Sequence, residues 1–239
     1  MTAPAEALFA SLGSFTDRLA AALGTELISV TLFGGAAKGR FDPATSDVNL
    51  MLVLNSVSIA ALDQVALAAE PLRREYMLSL LTLTEGDLGD SAEIFPTKFL
   101  DIQRHHRTLW GREVADSFVV PRDRLQRQAA RQLINLHLRL RQVYLDSRAR
   151  PEALDAMLRR SVTTLLINLG ILLELKEGRP IAPGDELLAA AASAGLDRAA
   201  LAEIVAFKRE RRALSDALPV FYEQFMQQVE AAYRLAALR

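Results

Sequence analysis

The chain has no cysteine, which excludes disulfides and any metal site built on thiolates. Histidine is nearly as scarce, with three residues in 239, so imidazole-rich metal centres have little to draw on. Aromatic residues make up 6% of the chain and Trp occurs once, which argues against a mostly β architecture. No excess of either charge exists: 28 basic residues stand against 29 acidic ones, for a net charge of −1. That balance gives no global case for nucleic acid as a partner. The opening Met1-Thr2-Ala3-Pro4-Ala5-Glu6 lacks a basic region followed by a long apolar run. The expectation is a soluble, cytoplasmic protein with no membrane partner.

What is abundant is Leu and Ala, within a hydrophobic fraction of 51%. These residues favour helices, so most of the chain should be helical. Strand patterns are confined to the first half. Ile28 to Phe33 is a short apolar, β-branched run that stops at Gly34 and Gly35, and Asp47 to Leu54 is another that starts at a polar pair. Between them lie Ala36-Ala37-Lys38-Gly39 and the turn-forming Arg40-Phe41-Asp42-Pro43-Ala44-Thr45. Without a Cβ, glycine permits torsions and close approaches that other residues block, so successive amides at this bend can point at an anion. Asp47 and Asn49, two apart, share one face of their strand.

Leu32-Phe33-Gly34-Gly35 followed by Ser46-Asp47-Val48-Asn49 resembles the nucleotidyltransferase superfamily of DNA polymerase β and aminoglycoside-modifying type. Its signature is Gly-Ser, a helical turn, a loop, and Asp-x-Asp on the next strand. The resemblance implies an α/β (α+β) fold: a small mixed-sheet domain over residues 1–115, then an α-helical bundle over 116–239. It also implies that Gly34, Gly35, Lys38 and Ser46 cradle a nucleoside triphosphate, ATP for preference, and that Asp47 and Asn49 hold Mg²⁺. Asp47 would be catalytic together with a later carboxylate.

The chain departs from that signature at two positions. Gly35 stands where the family has Ser, so a phosphate-binding hydroxyl is missing, and Asn49 stands for the second Asp, offering one neutral carbonyl oxygen. Both changes weaken a metal site. The strand predicted for Met77 to Leu83 holds no acid, and its unbroken apolar character reads as an interior strand. A third carboxylate would then come from Glu93, or from Glu85, which otherwise reads as a first-turn acid of the following helix.

Elsewhere the pattern is helical. Pro4 to Leu23 carries Leu8, Leu12, Phe15 and Leu19 on one face, and Ser58 caps a helix that Pro71 should kink or end early. In Phe95 to Gly111, His105 and His106 are adjacent; neighbours on a helix diverge, so surface or packing roles are expected ahead of metal binding or proton transfer. Helices are expected at 122–144, 151–176, 185–194, 197–218 and 219–238, punctuated by Pro121, Pro151, Gly178, Pro183-Gly184 and Pro219. The helix from Leu154 to Leu175, apolar on most faces, should be central to the bundle or contact a second copy in a homodimer. Arg124, Arg127 and Arg131 share one face, open to either a phosphate clamp or a solvated row. The Arg131-x5-His137 spacing is similar to that of HEPN-type ribonucleases.

Two functions follow as expectations. One is transfer of a nucleoside monophosphate from an NTP, with Mg²⁺, to a small-molecule or protein acceptor, weakened by Gly35 and Asn49. The other is a non-catalytic descendant that binds a nucleotide or a protein partner as a regulatory or antitoxin-like module.

Overall fold

The computed structural model describes residues 3–210 and 218–237. The chain divides into two compact units, Met1–Pro121 and Arg122–Arg239. The first is built on a four-stranded mixed sheet and the second, among the described residues, is helical.

In the first unit, helix α1 (Ala3–Leu23) precedes strands β1 (Leu27–Phe33) and β2 (Val48–Leu54). Helix α2 (Ile59–Glu75) crosses to β3 (Leu78–Thr84), and α3 (Glu85–Ile94), α4 (Pro96–Arg104) and β4 (His106–Gly111) complete it. The strand order is β3-β2-β1-β4, with β2 and β3 parallel and β1 antiparallel to both neighbours. The central strands are buried on both faces, which is why β1 and β2 read as near-continuous apolar runs. One face sets Val30, Leu32, Leu50, Leu52 and Leu54 against Leu8, Leu12, Phe15 and Leu19 of α1 and Val65, Ala69 and Leu72 of α2. The other sets Phe33, Met51, Val53 and Leu83 against Leu88 and Ala92 of α3, Phe99 and Ile102 of α4, and Val114, Ala115 and Phe118 beyond β4.

Three features of this unit differ from the sequence reading. Met77 to Leu83 was expected inside the sheet, yet β3 is an edge strand, half-exposed along most of its length. Its unbroken apolar pattern comes from helices that cover both faces, not from strands on both sides. Pro71 neither ends nor truncates α2, which runs on to Glu75. The carbonyl that loses its hydrogen bond belongs to Leu67, four residues earlier, and Leu67 and Pro71 both lie on the exposed side of the helix. The third is β4, whose sequence His106-Arg107-Thr108 carries no strand pattern. Pairing with β1 holds it, through a bulge between Val30 and Thr31. At the end of β4, Gly111 has φ +76°, and a Cβ there would sit 2.2 Å from the Ile28 carbonyl oxygen.

In the second unit, α5 (Arg122–Ser147) and α6 (Pro151–Glu177) form a helical hairpin, and α9 (Leu218–Ala237) packs on both. Helices α7 (Asp185–Ser193) and α8 (Arg198–Glu210) pack on α6, which makes α6 the hub. Length and composition would allow α6 to cross a membrane, but 56% of its most apolar stretch is buried inside the protein. Pro151 opens it and Gly178, left-handed at φ +73°, closes it. Of the helix expected over 197–218, residues 211–217 lie outside the described residues.

Candidate functional site

Strand β1 ends at Phe33 and the chain turns at Gly34, whose φ is +77°. A side chain at 34 would be strained there, and its Cβ would come within 3.2 Å of Asn49 Nδ2. The bend is thus packed directly against the start of β2. The Lys38 amide donates to the Gly34 carbonyl (3.2 Å) and the Arg40 amide to that of Gly35 (2.9 Å), which winds residues 34–38 into one helical turn. Ala36, 5% exposed, anchors that turn in the core beneath α1 and α2. Asn49 lies opposite Phe33 on one side and Ser79 on the other. Asp47, one residue before β2, is exposed.

Helix α4 borders the same end of the sheet. Its Asp101 accepts, on a single oxygen, from Lys38 Nζ at 2.6 Å and faces His105 Nδ1 at 3.1 Å. One turn earlier Lys98 places Nζ 5.5 Å from the centre of the Phe33 ring, the ring that flanks Asn49. Lys98, Asp101 and His105 lie three and four residues apart, so they share one face of α4. Next to them His106 turns Nδ1 to the Ile102 carbonyl (2.8 Å) and Nε2 to Glu113 (3.0 Å). Burial raises the Glu113 carboxyl, but hydrogen bonds from Thr108, the Ala115 amide and His106 outweigh it and hold the group below its usual range.

No family model and no curated protein sequence matches the chain. Solved structures do. Spectinomycin adenyltransferase AAD(9) from Enterococcus faecialis, solved with ATP and spectinomycin, aligns over 93% of this chain and 99% of its own, with TM-score 0.54 and 11% identity. The chain has a nucleotidyltransferase-like fold. A nucleotidyltransferase-like protein from Exiguobacterium sibiricum 255-15 aligns over 94% of this chain and 74% of its own at TM-score 0.41 and 9% identity.

On this nucleotidyltransferase-like fold the residues singled out in the sequence fall into two groups. Gly34, Gly35, Lys38, Asp47 and Asn49 gather where β1 leaves the sheet and β2 enters it. Ser46 stands beside them, but its Oγ accepts from the Asp42 amide (3.0 Å) and serves the loop. The candidate third acids lie on α3. Glu85 opens that helix at the far end of β3 and pairs with Arg112. Asn49 pairs with Ser79 whereas Leu54 pairs with Thr84, so Glu85 starts beyond a point about 17 Å farther along the sheet, at roughly 3.3 Å per residue. Glu93 is on the exposed side of α3.

The donor set does not suit a resident Mg²⁺ on this nucleotidyltransferase-like fold. Among the described residues no three His, Asp or Glu side chains group to hold a metal ion. The strand ends offer one carboxylate, Asp47, and one neutral amide, Asn49, with Ser79 next in register, while the nearby Asp101 is engaged by Lys38 and His105. What sequence reasoning missed is the α4 face. Its spacing was readable, but that it meets Lys38, 63 residues away, is a product of the fold.

Proposed function

We propose that this chain binds a nucleoside triphosphate, ATP in the first instance, at the Gly34 bend, and that it transfers the nucleotidyl group slowly or not at all. The observation that carries the reading is the fit of Gly34 against Asn49: the bend and the strand are held together as a nucleotide cradle requires, while the second acid is an amide. In phosphoryl transfer, positioning and charge stabilisation supply nearly all the catalysis, so losing that acid costs rate before it costs binding. Slow transfer to a small hydroxyl-bearing acceptor is the second reading, supported by the alignment of an adenyltransferase along nearly the whole chain.

Equilibrium dialysis with labelled ATP tests the first reading. Gly34→Val places a branched side chain at positive φ and against Asn49 Nδ2, so the bend must shift and binding should weaken by about tenfold or more. A melting curve distinguishes this from loss of fold. Unchanged affinity in a folded Gly34→Val protein rejects the cradle. The double variant Gly35→Ser with Asn49→Asp separates the two readings: pyrophosphate release that rises from a measurable wild-type level marks a slow enzyme, and release that stays at background in both marks a binder.

A further inference from the structure

We infer that the triphosphate is held by two lysines, Lys38 and Lys98, in place of a resident divalent cation, and that Asp101 occupies Lys38 until phosphate displaces it. The inference rests on the nucleotide-binding reading above and goes beyond it in naming what meets the phosphates.

Its first support is geometric. Lys38 ends the glycine turn and reaches Asp101 at 2.6 Å, while Lys98, on the same face of α4, stands over Phe33. Phe33 pairs directly with Asn49, so both ammonium groups lie at the mouth that Gly34 and Asn49 form. The second support is charge. A site lined by several carboxylates repels a triphosphate unless a divalent ion intervenes. Here the second acid is the neutral Asn49 with Ser79 beside it, and the two carboxylates that remain, Asp47 and Asp101, stand against the two ammonium groups of Lys38 and Lys98, Asp101 already being paired with Lys38. Phosphate oxygens can approach ammonium groups directly and form charge-assisted hydrogen bonds. Asp101 fits as the competing anion: it holds Lys38 in place through an oxygen shared with His105, at 38% side-chain exposure, where an anionic ligand can compete.

The experiment is equilibrium dialysis of the full chain with labelled ATP, in parallel in Mg²⁺ and in EDTA. Affinity in EDTA should stay within about threefold of that in Mg²⁺, and Lys38→Ala and Lys98→Ala should each weaken binding in EDTA by about tenfold. Asp101→Asn should tighten it by about threefold, because it removes the competitor of the phosphate. Lys98 is exposed, so its variant should fold as the parent does, which a melting curve checks. Binding in Mg²⁺ that disappears in EDTA overturns the inference and leaves the nucleotide reading standing. The same holds if both lysine variants bind like the parent. No binding in either buffer overturns both.

Discussion

The two units differ in what stands apart from their buried polar groups. The sheet unit buries Thr16, Ser29 and Thr31, but it also gathers Lys38, Asp47, Asn49, Lys98 and Asp101 at one end of the strands, where they remain at least partly open to solvent. In the helical unit several polar groups are buried and satisfied within the fold: Ser161 donates to the Met157 carbonyl at 2.7 Å, Asn168 to that of Thr164 at 2.7 Å, and Tyr222 to that of Leu140 at 2.8 Å. An exposed polar group contributes little to folding and is free to serve a ligand. A buried, bonded one is costly to remove and has little left to offer.

The largest effect should come from a sheet-unit residue that is not in the mouth. Gly111→Ala forces a Cβ to within 2.2 Å of the Ile28 carbonyl oxygen at φ +76°, so β4 must leave β1 or the backbone must shift. A loss of about 3–5 kcal/mol is expected in urea unfolding, at the upper end for a single substitution. Lys98→Ala, in the same unit, should change stability by no more than about 0.5 kcal/mol. Comparable losses in the two variants would break the claim that the mouth is separable from the core.

That separation also explains what was legible. Strands β1 and β2 and the bend between them could be read because a strand buried on both faces leaves an unbroken apolar run and a positive-φ turn leaves glycine. β4 could not, since an edge strand held by pairing needs no such run, and His106 and Thr108 face polar partners instead. In the candidate site, Asp47 and Asn49 follow from spacing. Lys98 and Asp101 do not, because helical spacing tells which residues share a face and not what that face meets. The Arg131 and His137 pair errs in the opposite way. Six residues on a helix are roughly 240° apart at 3.6 residues per turn. Arg131 accordingly points to solvent while His137 is buried.

A middle-sized effect belongs to the helical unit. Tyr222 is fully buried with its ring beside Tyr144, and burial, with Tyr144 as a lesser cause, pushes the phenol up to about 12. Tyr222→Phe keeps the ring and removes the bond to the Leu140 carbonyl, so about 1–2 kcal/mol of stability should go, with ATP affinity unchanged. Weaker ATP binding in a folded Tyr222→Phe protein would mean that the helical unit's buried polar groups serve the ligand after all.

The smallest effect is a pH dependence, and its sign follows from one side chain. His137 is 5% exposed, and its Nδ1 is buried without a hydrogen-bond partner among the described residues. Burial lowers its pKa below 6.5 and the nearby Arg141 lowers it further, while Glu230 and the Met226 carbonyl oppose them without prevailing. The folded state therefore keeps the ring neutral at pH values where the unfolded chain takes up a proton. Its stabilising contribution is complete above the unfolded value near 6.5 and is lost as pH falls through the lower, folded value. The melting temperature of the parent should drop with acidification over that window more steeply than that of His137→Leu, which cannot bind the proton in either state. Parallel declines in the two proteins would assign the acid sensitivity to carboxylates elsewhere and remove His137 from the set of buried groups that tune this unit.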